Sequence, residues 1–296
     1  MLPDPTIRDA VYSNARHLGA LWAMLDWESE PGWTEVLADA IERAAHFAAS
    51  SIIVPFGGTG DLCVLDEGVI KLGGPALGVG AFAALYRRSA DPAHLDRALR
   101  LGRYIARQRR PDGDFAHIVI PGRIAREHPT RADMLTGQAV LALALLGEAS
   151  GDASWTEMAF DSATKLEGQN HGVASGSHWM LYALEALYGD RPERWLLDYA
   201  ERIANGLAAT QWSAASHSTP IACATEGLLA FARMLPSGSP VRAETLKAIR
   251  RNLRHQLKFY DRGGAFVRSL DMPEVRIDYI MHNVIGFLGY ARLEAG

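Results

Sequence analysis

The 296-residue sequence predicts an all-α fold, an (α/α) toroid or barrel of about six helical hairpins with short β-hairpins at one mouth. Three observations predict it. Helices that are apolar on most faces alternate with helices that carry one apolar stripe. The turns between them are short and rich in Gly, Asp, Ser and Pro. Three extended, β-branched segments each precede an apolar helix. A helix apolar all round is buried on all sides, whereas a one-sided stripe belongs to a surface helix.

The first apolar helix is TIRDAVYSNARHLGALWAML, 6–25, and the charged TEVLADAIERAAHFAAS, 34–50, follows it. SIIVPFGGTGDLCVL, 51–65, reads as a hairpin around its glycines. LGGPALGVGAFAALY, 72–86, is the second apolar helix; SADPAH, 89–94, ends it and caps the charged helix 93–108, where Leu95, Leu99, Leu101 and Ile105 form the stripe. GDFAHIVIPGRI, 113–124, is the second extended segment. The pairs 133–149 with 153–166, 176–188 with 193–211 and 219–235 with 241–259 repeat the alternation. The turns SGDASW, YGDRPERW and PSGSPV join them. GGAFVRSL, 263–270, is the third extended segment, and IDYIMHNVIGFLGYARL, 277–293, the sixth apolar helix. A helical solenoid is the alternative architecture. No stretch reads as a linker, so one domain, 1–296, is expected.

Composition bounds the function without assigning it. The chain is 48% hydrophobic and 22% charged, and its 30 Lys and Arg against 34 Asp and Glu leave a net charge of −4. That provides no basic field for nucleic acid. The apolar run AVLALALL, 139–146, falls far short of the roughly 18 residues of a membrane span. The opening lacks a basic segment followed by an apolar one, so a cytoplasmic location is expected. Two cysteines, Cys63 and Cys223, provide no disulfide framework and are expected to be inert thiols. There is no nucleotide-binding glycine loop, no HExxH and no GxSxG. The histidines have no third ligand at metal spacing, so neither a metal nor another cofactor is expected.

Polar residues gather where the apolar helices begin. Lys71 precedes the second. Arg131 and Asp133 open the third, with Gln138 in its second turn and Arg123 in the loop before it. His178 and Trp179 open the fourth, Glu226 lies two turns into the fifth, and Arg276, Asp278, Tyr279 and His282 open the sixth. Glu226 in ATEGLLAF stands out, because a carboxylate in an apolar helix needs a partner or water. His282 follows Tyr279 by three residues, on one helix face, where a simple Tyr–His hydrogen bond is the structural alternative.

The C-terminal segment MPEVRIDYIMHNVIGFLGY resembles that of the glucuronyl carbon-5 epimerases, which carry an Asp-Tyr-x-x-His element on the last inner helix after a Pro-containing loop. DMLTGQAVLALALLGEASGDASWTEMAF resembles the family's Gly-Gln-Ala helix with its turn and outer helix, and HWMLYALEALYGD its next inner helix. The likeness covers about residues 130–290. It implies an (α/α) barrel and removal of a proton beside a uronate carboxylate, with Tyr279 at the position of a catalytic tyrosine. The chain departs from the family at two further tyrosines. Tyr260 lies near the distance of one, where the glycine register puts Phe266 or Val267, and no tyrosine occurs at 168–175 for the other. The family's N-terminal β-rich region has no counterpart.

The expected function is therefore an epimerase or isomerase that removes a proton next to a carboxylate of a uronate sugar or small metabolite. Arg276, with Arg131 or Arg123, would hold the carboxylate. Tyr279, with its pKa lowered by a neighbouring cation, would act as acid or base opposite His282, His178 or Glu226. Lys71, Asp133, Gln138, Trp179 and Asp278 would complete the binding site. A six-hairpin glycoside or unsaturated-uronide hydrolase or lyase is the alternative, and a leaving group β to the carbanion would turn the first site to elimination. The hydrolase would use Asp133, Glu226 or Asp278 as carboxylates and Trp179, Trp212 and Phe266 as sugar platforms. A non-catalytic carbohydrate- or peptide-binding toroid is the third. The partner is a small-molecule or carbohydrate substrate in the first two cases, with no nucleic acid and no membrane; the oligomeric state is open.

Overall fold

The computed structural model describes residues 12–28, 30, 32, 35–122, 125–213, 215–261 and 263–295. The described residues divide into two compact units, Ser13–His171 and Gly172–Gly296, with Tyr12 belonging to the latter.

In the first unit the apolar helices are α1 (Asn14–Trp27), α3 (Gly73–Ser89) and α5 (Asp133–Ser150). They pack side by side in that order. The charged helices α2 (Glu35–Phe47), α4 (Pro92–Arg107) and α6 (Ala153–Gly168) back them, α2 on α1, α4 on α3 and α5, and α6 on α5. The turns work as their composition predicts. Ala90 and Gly151 take left-handed conformations that end α3 and α5, and Asp91 and Asp152 then cap α4 and α6 by accepting from Ala93 N and Ser154 N. α1 begins at Asn14 rather than at residue 6, because Ser13 is its cap; residues 6–11 of the expected helix lie outside the described residues.

The segment 51–65 forms the expected hairpin, β1 (Ile53–Pro55) against β2 (Leu62–Val64), with Ile53 opposite Val64. Buried Asp61 ties it to α4 through Arg103 (3.1 Å) and Arg107. The segment 113–124 differs from expectation. Its strand β4 (Ile118–Ile120) is the centre of a three-stranded antiparallel sheet between β3 (Ile70–Lys71) and β5 (Arg126–Glu127). Strand pairing here comes from a segment about fifty residues earlier, which local pattern cannot reveal.

A buried network starts α5. Its N-cap residue, Ala132, has no capping side chain, so Ala132 N donates to His117 Nδ1 (2.8 Å). That bond leaves the ring proton on Nε2, which reaches Asp114 Oδ1 at 3.1 Å, and Thr136 Oγ1 donates to the same oxygen at 2.6 Å. Burial works against the Asp114 carboxylate, but the bonds from His117 and Thr136 outweigh it and hold its pKa at about 2. A depressed folded-state pKa stabilises above the unfolded value and is lost as pH falls through the folded one. The shift corresponds to about 2 kcal/mol, present at neutral pH and lost between about pH 4 and pH 2. Urea unfolding of Asp114→Asn against the parent should show that deficit at pH 6 and a shrinking one towards pH 2. A deficit independent of pH would show that the carboxylate's charge contributes nothing.

In the second unit the apolar helices are α7 (His178–Asp190), α9 (Ser218–Arg233) and α11 (Ile277–Ala295), with α9 between the other two. The charged helices α8 (Arg194–Ala209) and α10 (Pro240–Gln256) back α7 and α9, and α9 and α11, respectively. Among the described residues the chain thus has six apolar and five charged helices, in the alternation read from the sequence. The third extended segment forms only single bridges, Tyr260 to Phe266 and Val267 to Val275. It fixes the start of α9: Ser218 N donates to Arg268 O (2.9 Å) and Ser218 Oγ to Val267 O (2.7 Å). Ile221, Phe259, Phe266 and Val267 form a buried cluster beneath it, against which Val284 and Phe287 of α11 pack. Gln256 Nε2 donates to Thr225 Oγ1 of α9 at 2.6 Å. These contacts set the relative depth of α9 and α11, and so the positions of Glu226 and His282. No helix among the described residues is long and apolar enough to cross a membrane.

Candidate functional site

The start of α7 is held by Ser177, whose hydroxyl accepts from Met180 N (3.3 Å). This places His178 and Trp179 in the first turn and Tyr182 one turn on, on the face of His178. On α9, Cys223 and Glu226 are three residues apart; on α11, His282 follows Tyr279 by three. Gly227 lets α7 and α9 approach. A Cβ there would meet His178 Cβ at 3.0 Å and the ends of Leu181 and Leu207 at 2.9 Å. The leucine ends can rotate, but the His178 Cβ moves only with its backbone. Gly227→Ala should therefore cost about 1–3 kcal/mol by overpacking; a thermal melt unchanged from the parent would show that the helices give way freely.

Glu226 is the hub. It is 1% exposed, and its two oxygens are divided: Oε1 lies 2.8 Å from His282 Nδ1 and Oε2 accepts from Tyr182 Oη at 3.0 Å. The His282 ring also hydrogen-bonds the Cys223 side chain. His178, 8% exposed, stands edge-on to His282 with ring centroids 6.0 Å apart. Its Nε2 is buried without a hydrogen-bond partner. Cys223 completes the group: its sulfur and one ring nitrogen from each histidine lie within 4.8 Å of one another. Cys223 and His282 are partly exposed, so the cluster opens outward.

The environment separates the two histidines. Burial, with the nearby His282 charge adding to it, pushes His178 down to about 3 and keeps it neutral. Burial also opposes charge on His282, but the Cys223 sulfur and the Glu226 carboxylate overcome it and hold its pKa well above the ordinary histidine range. Burial raises the Cys223 thiol and, with the Glu226 charge beside it, the Tyr182 phenol. One neutral and one protonated imidazole, side by side, are the ingredients of paired acid–base chemistry.

The other expected site residues are accounted for differently. Arg276 gives Nε and Nη2 to Asp278 (2.6 and 2.8 Å) and lies over the Tyr279 ring at 4.3 Å. The expected lowering of the Tyr279 pKa is corrected: burial raises it, and the opposing Arg276 charge does not overcome that. Nor does His282 pair with Tyr279 through Nδ1, which belongs to Glu226. Trp179 is buried beside His178, with ring centroids 5.1 Å apart. Trp212 Nε1 donates to Asn252 Oδ1 at 2.9 Å, and Phe266 is buried in the cluster under α9, so both are engaged structurally. Lys71, Arg131, Asp133 and Gln138 belong to the first unit. There Lys71 pairs with Asp66 (3.2 Å) and Arg131 with Asp114 (3.2 Å), Asp133 is exposed, and Gln138 is buried against Gly73. Arg123 lies outside the described residues.

Tyr182 and Cys223 were not expected at the site. A helical signal for both exists, since Tyr182 is four residues after His178 and Cys223 three before Glu226. The spacing argument against a third metal-type donor beside the histidines also fails, because the three donors come from three helices.

No family model matches the chain, and no curated protein matches it. Solved structures do. A D-mannose isomerase aligns over 95% of this chain and 87% of its own, with a TM-score of 0.72 at 11% identity. A cellobiose 2-epimerase from Spirochaeta thermophila aligns over 95% and 86%, with a TM-score of 0.72 at 16% identity. An unsaturated glucuronyl hydrolase from a Bacillus species aligns over 97% and 87%, with a TM-score of 0.66 at 16% identity. These likenesses show the fold, an (α/α) barrel with small β-hairpins, as the sequence predicts. They include epimerases, isomerases and hydrolases of carbohydrates, and do not single out the glucuronyl carbon-5 epimerases.

Proposed function

We propose that the chain is a carbohydrate isomerase or epimerase that moves a proton at the carbon beside a sugar carbonyl, with His178 and His282 as its proton-transfer groups. The observation that carries this is the division of labour at Glu226. By holding His282 Nδ1 it fixes the ring beside the Cys223 sulfur and a second imidazole whose Nε2 has no partner. Neutral His178 takes the proton from the carbon, and His282 gives its Nε2 proton to the carbonyl oxygen. The product of this step is an enediol. As the proton returns to carbon, His282 takes back a proton from an enediol hydroxyl: return to the opposite face of the same carbon, with the original carbonyl re-formed, gives an epimer, and return to the neighbouring carbon, with the carbonyl formed at the other oxygen, an isomer.

Distance supports the pairing. A carbonyl oxygen and the carbon beside the carbonyl are about 2.4 Å apart, and a nitrogen from each ring lies within 4.8 Å of the other. The two rings can therefore serve adjacent atoms of one substrate. A carbonyl suits the site better than the carboxylate first expected, because Asp278 already takes the fork of Arg276. The neighbours described as a mannose isomerase and a cellobiose epimerase agree with a sugar substrate. The hydrolase alternative needs a carboxylic acid free to reach a glycosidic oxygen, whereas Glu226 is spent on His282 and Tyr182, Asp278 on Arg276, and Asp133 is an exposed residue of the first unit.

The test is incubation in heavy water with a panel of aldoses, ketoses and uronates, read by mass spectrometry. Carbon-bound deuterium in one sugar, with conversion to its isomer or epimer, is the expected result. Release of a reducing sugar from a glycoside, with no exchange into any member of the panel, would replace this proposal with the hydrolase.

A further inference from the structure

We infer that His178, Cys223 and His282 form a binding site for a divalent cation of the zinc class. The site goes beyond the proton-transfer proposal and stands on side-chain positions alone.

Four features converge on it. The first is the donor set. Two imidazoles and one sulfur select zinc, cobalt or copper, and are unsuited to magnesium or calcium. The second is spacing. The three donor atoms lie within 4.8 Å of one another, and a tetrahedral zinc with bonds of about 2.0–2.3 Å sets its donors about 3.3–3.8 Å apart. Side-chain rotation of about 1 Å closes that gap. The third is the unpartnered Nε2 of His178, a lone pair or N–H more than nine-tenths buried with nothing in the protein to satisfy it. The fourth is the support behind the donors. Glu226 accepts from His282 Nδ1 and is itself held by Tyr182, which is the carboxylate–histidine arrangement that orients a metal-bound imidazole.

Charge fits as well. On coordination the Cys223 thiol and the His282 imidazolium each release one proton to solvent, and they bind as a thiolate and a neutral imidazole. Thiolate and Glu226 together supply two negative charges for a dication. Partial exposure of Cys223 and His282 gives the ion a way in and leaves a fourth position for water. An ion there takes the imidazole lone pairs that proton transfer would use, so metal occupancy and turnover exclude each other.

Cobalt(II) is the probe. Added to the purified full-length protein, it should bind one per chain, giving a sulfur-to-cobalt charge-transfer band in the near ultraviolet and the intense visible bands of a tetrahedral site. Zinc should displace it. Cys223→Ser should lose the charge-transfer band, and Cys63→Ser, which changes the other thiol, should keep it. Glu226→Gln should bind 10–100-fold more weakly with the bands preserved. A second reading needs no variant: zinc should slow alkylation of Cys223 by iodoacetamide, mapped by mass spectrometry. Absence of stoichiometric cobalt binding, a charge-transfer band that survives Cys223→Ser, or alkylation of Cys223 indifferent to zinc would each overturn the site. None of these readouts depends on turnover, so failure here leaves the heavy-water result untouched, and the converse holds.

Discussion

Replacing His282 with Asn should lower the rate of carbon-bound deuterium incorporation by about 10²–10⁴-fold, the usual worth of one positioned proton-transfer group. The expectation follows from its place in the cluster. His282 bonds Glu226 on one side and is partly exposed on the other. Asparagine keeps a polar group of similar reach near Glu226 but has no proton to give at the outer nitrogen's position. The loss should fall on kcat, with sugar binding largely kept, because an interaction made only as the proton moves does not contribute to ground-state binding. A variant that loses only binding, with kcat intact, would make His282 a substrate contact and remove it from the chemistry.

Glu226→Ala should be the most destabilising single change at the site, costing about 3–5 kcal/mol. Removal of the carboxylate leaves the His282 imidazolium without its counter-charge and the Tyr182 hydroxyl without its acceptor. Glu226→Gln keeps an acceptor for Tyr182 and a polar partner for His282, so it should cost clearly less. Urea unfolding of the two variants beside the parent measures the difference. Equal costs would show that cavity formation, and not the charge pair, dominates at this position.

The helices were legible because their burial is written into local composition. The apolar helix expected at 133–149 is α5, Asp133–Ser150, and the one expected at 72–86 is α3, Gly73–Ser89. Their turns were legible for the same reason: a left-handed Ala90 or Gly151 followed by a capping Asp91 or Asp152 is a local signal. The sheet partners of Val119 were not, since Ile70 and Glu127 come from either side of it in the sequence and register depends on tertiary placement.

At the site the split is similar. Glu226 and His282 stood out in the sequence, one as a carboxylate in an apolar helix and the other in the Asp-Tyr-x-x-His element. Their bond joins residues 56 apart, and no spacing rule reaches that far. Cys223 was read as an inert thiol because a lone cysteine carries no information until its neighbours are known. Tyr279 stands out by its place at the start of the sixth apolar helix and by the family resemblance, yet its surroundings are a buried ring under Arg276, while Tyr182 holds the central carboxylate.

The proposed chemistry depends on two neighbouring imidazoles, one held neutral and one protonated. Nitrogen NMR of protein labelled at the histidine rings, assigned with His178→Gln and His282→Asn, tests it most directly. At neutral pH the expected spectrum shows a His178 ring with one bare nitrogen, staying neutral down to about pH 3, and a His282 ring carrying protons on both nitrogens. Two rings that titrate together near the ordinary histidine value, about 6.5, would contradict it.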